Sequence, residues 1–167
     1  MSPSPSISVV IAAYNAADTI ADTVASIRRQ EGGCEIIVVD DGSSDATGEV
    51  LDGLADHPTA PLRWVRQQNA GPGPARNHGM DLATGETVVF VDADDQLTDD
   101  AFAAFRRAAQ AAPEAGLWFG GYDEVYPGGR TRTYLPATAD RSPEARFRDI
   151  LFHRPVHPTI GTALIRR

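Results

Sequence analysis

Hydrophobic residues recur in short continuous runs separated by polar, Gly- or Pro-bearing segments. Ile7-Ser8-Val9-Val10-Ile11-Ala12-Ala13, Glu35-Ile36-Ile37-Val38-Val39 and Val88-Val89-Phe90-Val91 are rich in β-branched residues, the pattern of strands buried on both faces. After the first run, Ile20, Val24 and Ile27 fall at i, i+4 and i+7 of a helix. Asn15 or Asp18 is its expected cap and Gly32-Gly33 its stop. Gly42-Ser43-Ser44-Asp45 is turn chemistry leading into a helix that holds Val50 and Leu51. Leu62-Arg63-Trp64-Val65-Arg66 alternates apolar and basic residues, as a strand nearer a sheet edge does.

Asn69-Ala70-Gly71-Pro72-Gly73-Pro74 reads as a loop, followed by a short helix from about Ala75 to Ala83 that Thr84-Gly85 ends. Past the third buried run, Thr98 is the expected cap of a helix reaching about Ala112, where Pro113 closes it. Gly116 to Phe119 begins another strand, and Pro127-Gly128-Gly129 forms a hairpin turn before a strand from Thr131 to Leu135. Ser142-Pro143-Glu144 is a helix start, and Thr159 to Ile165 a last strand. Strands alternating with helices predict an α/β fold, a mostly parallel open sheet with helices on both faces. The regular alternation lapses between Tyr126 and Pro143, read as an irregular surface segment.

At 167 residues, with 42% hydrophobic and 23% charged residues, the chain fits one globular domain. Residues 1–6 are expected to be a disordered tail. The net charge of −8 argues against nucleic acid or a polybasic membrane patch as partner. All fifteen basic residues are Arg, so chemistry that needs a lysine is excluded. The single Cys34 forms no internal disulfide, and no stretch reaches membrane-spanning length, so a cytoplasmic location is expected.

Carboxylates crowd the ends of two buried strands: Asp40-Asp41 after one, Asp92-Ala93-Asp94-Asp95 after another. Like charges that close repel unless something positive sits among them. A divalent cation shared with substrate phosphate oxygens would relieve them; a solvated loop before the helix that follows Thr98-Asp99-Asp100 is the simpler reading. In open α/β sheets ligands bind beyond the carboxyl ends of strands, where strand order reverses. Tyr14-Asn15, Asp40-Asp41 and Asp92 to Asp95 are three such ends suited to one ligand. Asp41 would accept from a base N–H and Tyr14 would offer a stacking face, while the metal neutralises a diphosphate.

These residues carry a resemblance. Ser8 to Asn15, Ile37 to Asp45, Asn69-Ala70-Gly71 with Ala75-Arg76-Asn77-His78-Gly79, and Phe90 to Asp95 stand in the order of four motifs that resemble the family 2 glycosyltransferases. The resemblance covers about residues 7–105. It implies a GT-A-type fold, with residues 7–112 as the nucleotide-sugar-binding part and 113–167 as the start of an acceptor-side part. It implies that Ala12, Tyr14 and Asp41 contact the nucleobase region, and that Asp92 and Asp94 form the metal-and-ribose motif, with Asp94 the direct ligand of Mn²⁺ or Mg²⁺. Asp40 and Asn77 would support the loops around the nucleotide.

The implied activity is transfer of a sugar from a nucleotide-sugar, UDP-sugar favoured, to an acceptor hydroxyl with inversion, in polysaccharide biosynthesis or a related process. Members of the family carry an acidic base past the strand that Thr159 to Ile165 represents, and the present sequence has none after it. It is therefore expected to be a truncated, donor-binding portion with the catalytic base unassigned. A non-catalytic nucleotide-binding or scaffold module of the same fold is the alternative.

Structural readings stand beside these roles. Asp40 and Asp41 are also suited to capping the next helix, and Tyr14 to a core edge. Arg76 would either pair with a neighbouring acid or meet phosphate; His78 would pack locally; Trp64 and Trp118 would be core; Cys34 would be inert. His153 and His157 flank Pro155 in a loop where acceptor contacts can arise. A dinucleotide-binding domain fails because Ala12 to Asp18 holds no glycine, and a phosphoacceptor receiver fails for want of a lysine.

Overall fold

The computed structural model describes residues 6–55, 57, 60–134 and 163–167. Four parallel strands form its centre: β1 (Ile7–Ala13), β2 (Glu35–Asp40), β3 (Leu62–Arg66) and β4 (Thr87–Asp92). Between and after them run α1 (Ile20–Arg28), α2 (Thr47–Leu54), α3 (Pro72–Leu82) and α4 (Ala101–Ala111). Then come β5 (Leu117–Phe119), a hairpin of β6 (Tyr122–Val125) and β7 (Thr131–Tyr134), and β8 (Ala163–Arg166). The main sheet has the order β3-β2-β1-β4-β8-β5. Only β8 runs antiparallel to its neighbours β4 and β5, so the mostly parallel open sheet is as expected.

Side chains of a strand alternate between faces, and the central strands bury both. Val9, Ile11, Ile36, Val38, Val89 and Val91 join the larger core, where α1 contributes Ile20, Val24 and Ile27 and α4 contributes Phe102 and Phe105. Their sequence neighbours Val10, Ile37, Val88 and Phe90 form the smaller core beside Ala83 and Met80. Helix α3 lies very close to the sheet there. A Cβ on Gly79 would fall inside the van der Waals shell of Val10 Cγ1, so only glycine permits this approach.

Several local expectations give way. Neither Asn15 nor Asp18 caps α1; its N-cap is Thr19, without a side-chain cap bond. Asn15 instead adopts φ 51°, and its side chain is used elsewhere. Thr98 does not cap α4, because Asp100 takes the N-cap position and the Thr98 hydroxyl donates to the Asp100 carboxylate at 3.2 Å. The strand that begins at Gly116 divides into β5 and a separate β6 before the expected hairpin turn; three of the four β6 residues are exposed, which leaves no buried alternation to mark its bounds. Residues 1–5, Leu135, the helix start at Ser142, the pair His153 and His157, and the first part of the Thr159 to Ile165 strand lie outside the described residues.

Candidate functional site

The order β3-β2-β1-β4 reverses direction between β1 and β4, because β2 lies on one side of β1 and β4 on the other. Register then aligns the chemistry. Ala12 pairs with Asp92 across β1 and β4, Ala13 with Asp40 across β1 and β2, and Asp40 with Arg66 across β2 and β3. The three polar strand ends thus share one edge of the sheet, at a switch point where α/β folds bind ligands.

Asp40 and Asp41 are adjacent, so their side chains diverge. Asp40 is fully buried, accepting from Arg66 Nε at 2.6 Å and from the backbone N–H of Ser43 at 2.9 Å. Asp41 holds the loop that enters α3. Its Oδ1 accepts from Gln67 Nε2 at 2.8 Å and Ala70 N–H at 3.0 Å, and its Oδ2 from Gly71 N–H at 2.8 Å. Burial pushes the Asp41 carboxyl up, but these three donors outweigh it and hold the group below the ordinary carboxylate range. Neither residue caps α2, whose first turn is anchored by Asp45 accepting from Thr47 N–H at 3.0 Å. Three donors on Asp41 leave one lone-pair direction, on Oδ2, for anything else.

The β1–α1 loop is tied to the β2–α2 loop. Asn15 Oδ1 accepts from Ser44 N–H at 2.8 Å, and Asn15 N–H donates to Ser43 Oγ at 2.9 Å. Ala16 N–H donates to Thr47 Oγ1 at 2.9 Å, and Ala17 N–H to Asp45 Oδ2 at 3.1 Å. Tyr14 stands between these ties, 54% exposed, with its ring free to stack. It is not a core-edge aromatic. Ala12 is half-buried at the end of β1.

At the end of β4, Arg76 reaches from α3 and donates to Asp92 Oδ1 at 2.5 Å. Its Nε is buried without a hydrogen-bond partner among the described residues. The cation beside the end of β4 thus comes from α3, as the one beside Asp40 comes from Arg66 at the end of β3. Asp94 is exposed and joins no hydrogen bond or ion pair among the described residues. The Asp95 carboxyl, although exposed, is pushed up by partial desolvation and by the charges of Asp92 and Asp94. Asn77 is exposed on α3 and bonds to neither loop; the loop contact belongs to its neighbour His78, whose Nδ1 lies 2.9 Å from Gln67 Oε1. A helix-surface or locally packed His78 is what the sequence suggests, and nothing in its spacing points to Gln67.

The donor set suits a hard cation. Asp94 offers an unpartnered carboxylate, and Asp92 a second oxygen beside the one that Arg76 holds. Among the described residues no group of three or more His, Cys, Asp or Glu side chains converges as a preformed metal cage.

A separate cavity of about 490 Å³ opens at the amino end of the sheet, beside Cys34, Glu35, Thr84 and Arg106. None of the carboxylates that follow β2 or β4 lines it. Burial pushes the Cys34 thiol up to about 11, which keeps it protonated and unreactive. Trp118 is buried in the core, and Trp64 packs against it while donating to Asp52 at 3.1 Å. No helix among the described residues is long and apolar enough to cross a membrane.

The chain is similar to known proteins in sequence and in fold. The succinoglycan biosynthesis protein ExoO of Rhizobium meliloti is 39% identical over 113 residues, 67% of this chain and 31% of the relative. The uncharacterized glycosyltransferase EpsJ of Bacillus subtilis is 33% identical over 133 residues, 79% of this chain and 38% of the relative. The chain thus spans less than two fifths of the length of these two relatives. Among solved structures, S. aureus TarS 1-349 superposes with a TM-score of 0.74 at 24% identity, covering 96% of this chain and 47% of that one. The mannosyltransferase PcManGT from Pyrobaculum calidifontis, in complex with GDP-Man and Mn²⁺, gives a TM-score of 0.63 at 31% identity, covering 70% of this chain and 35% of that one. Residues 8–167 match the family described as glycosyl transferase family 2, and the chain belongs to that family.

Proposed function

We propose that this chain forms the donor-binding part of an enzyme that moves a sugar from a nucleoside-diphosphate sugar to an acceptor hydroxyl, with inversion at the anomeric carbon. The observation that carries the reading is the shared edge of the sheet. There an exposed Tyr14, an anchored Asp41 and an unpartnered Asp94 stand around the β1–β4 switch point. A UDP-sugar is the favoured donor. In support, TarS 1-349 in complex with UDP-GlcNAc is 25% identical with a TM-score of 0.65, although PcManGT holds GDP-Man.

In this reading the Tyr14 ring stacks on the base, and Asp41 accepts a ring N–H through its remaining lone pair. Ala12 borders the base region, and Asp92 meets the ribose side. Asn77 faces the nucleotide from α3. Asp94, with Asp92, would hold Mn²⁺ or Mg²⁺, which stabilises a leaving diphosphate when bound. Arg76 keeps Asp92 oriented and adds a cation beside it. In the reaction the acceptor oxygen bonds to the anomeric carbon, the nucleoside diphosphate leaves with the bonding electrons, and a general base takes the hydroxyl proton. That base is not assigned among the described residues. A polysaccharide hydroxyl is the acceptor class that the name of ExoO supports. A cytoplasmic setting fits the lone cysteine.

The test is calorimetric titration with UDP, GDP and dTDP, with and without Mn²⁺, on the wild type and Asp94→Ala. Metal-dependent binding of UDP, largely lost in Asp94→Ala, is the expected result. Absence of nucleotide binding at millimolar concentration with metal present would overturn the reading.

A further inference from the structure

Asp41 is itself positioned by a chain of two side chains. An ionised carboxylate only accepts hydrogen bonds, so Gln67 must present Nε2 to Asp41 Oδ1 at their 2.8 Å contact. That turns the Gln67 amide oxygen toward His78 Nδ1, 2.9 Å away. An amide oxygen also only accepts, and therefore Nδ1 of His78 carries a proton. The tautomer of His78 thus follows from the charge of Asp41, two links away.

The relay closes a length of chain on itself. Gln67 stands just before the Asn69-Ala70-Gly71 turn, and His78 stands beyond it on α3. Asp41 grips the N–H groups of Ala70 and Gly71 from within, and Gly71 has φ 92°, a conformation the turn must be held in. His78 also sits next to Gly79, where α3 presses on Val10 and fixes its distance from the sheet. We infer that His78 is a positioning residue, which through Gln67 orients Asp41 and holds the Ala70–Gly71 turn at the mouth of the crevice. It touches neither donor nor acceptor. Its contribution to donor binding rests on the donor-site reading above; the relay itself does not.

Two measurements on the full chain address the relay without any nucleotide. Long-range ¹⁵N–¹H correlation of the imidazole rings at a pH where they are neutral identifies the tautomer, with His78 assigned by its loss in His78→Asn. A proton on Nδ1 is expected, and a proton on Nε2 would overturn the inference. Amide exchange is the second readout. His78→Ala speeds exchange at Ala70 and Gly71 by about fivefold, the scale of one hydrogen bond. His78→Asn, whose Nδ2–H stands where Nδ1–H stood, restores the wild-type rate. Unchanged exchange in His78→Ala, or failure of His78→Asn to restore it, would overturn the relay. The affinity of UDP with Mg²⁺ should fall about fivefold in His78→Ala and recover in His78→Asn. If the wild type binds no UDP, the donor reading fails, while the tautomer and exchange results still decide the relay.

Discussion

Asp41→Asn tests how the loop before α3 is held. Asparagine keeps the shape of the side chain but exchanges one acceptor oxygen for an NH₂ group. With the amide oxygen toward Gln67 and Ala70, two bonds survive and the Gly71 N–H faces a donor; the reverse orientation strands two N–H groups. An unsatisfied buried N–H costs about 1–3 kcal/mol. The two surviving bonds pass from charge-assisted to neutral, at roughly half the strength. Asp41 is only 3% exposed but stands at the open end of the sheet, where solvent screens part of this loss, so about 2 kcal/mol in total is expected.

Urea unfolding at pH 7 should show a lower midpoint with an unchanged slope. The effect must also depend on pH in one direction. Because the folded-state carboxyl lies below its ordinary value, its stabilisation is complete above the unfolded pKa of about 3.9 and is lost as pH falls through the folded value. The gap between wild type and Asp41→Asn should therefore narrow on acidification. A variant within about 0.5 kcal/mol of wild type at pH 7, or a gap that widens in acid, would refute the reasoning.

Three further outcomes follow from the geometry. Gly79→Ala drives a methyl group into Val10 and should cost about 1–3 kcal/mol in unfolding free energy, whereas Gly53→Ala in α2, with open space around its added Cβ, should be near neutral or stabilising. Asp95 is pushed up by partial desolvation and by Asp92 and Asp94, so its ionisation penalises folding from the unfolded pKa of about 3.9 upward and fully above the folded value. Asp95→Asn in EDTA should accordingly raise the thermal midpoint at pH 7 and leave it unchanged near pH 3; equal shifts at both would count against the acidic cluster. Chelating the metal should weaken UDP binding in the wild type and leave Asp94→Ala unaffected, as titration calorimetry would register.

The sheet was legible because its strands are continuous β-branched runs, and a strand buried on both faces cannot be built from anything more polar. The three polar strand ends were legible for the same reason, since each interrupts such a run abruptly. Their partners were not. Whether Asp40 or Asp41 would meet Arg66 or the Asn69-Ala70-Gly71 turn depends on which face each takes, and that depends on β2–β3 register. Asn15 is a capping residue by type, but at φ 51° its side-chain Oδ1 accepts from Ser44 N–H instead. Arg76 pairs with Asp92 across 16 positions, through a helix whose rotation the weakly amphipathic Pro72–Leu82 segment does not disclose. The antiparallel β8 is a tertiary outcome that a short apolar run cannot encode.

The central claim is that the donor site lies at the carboxyl edge of the sheet, between β1 and β4. It is tested most directly by following backbone amide shifts of the ¹⁵N-labelled chain as UDP and Mg²⁺ are added. The account predicts that Tyr14, Ala70, Gly71, Ala93 and Asp94 move, while Gly32, Gly33, Thr84 and Gly85 around the amino-end cavity stay still. Shifts concentrated at that cavity, with the β1 and β4 ends unmoved, would contradict it.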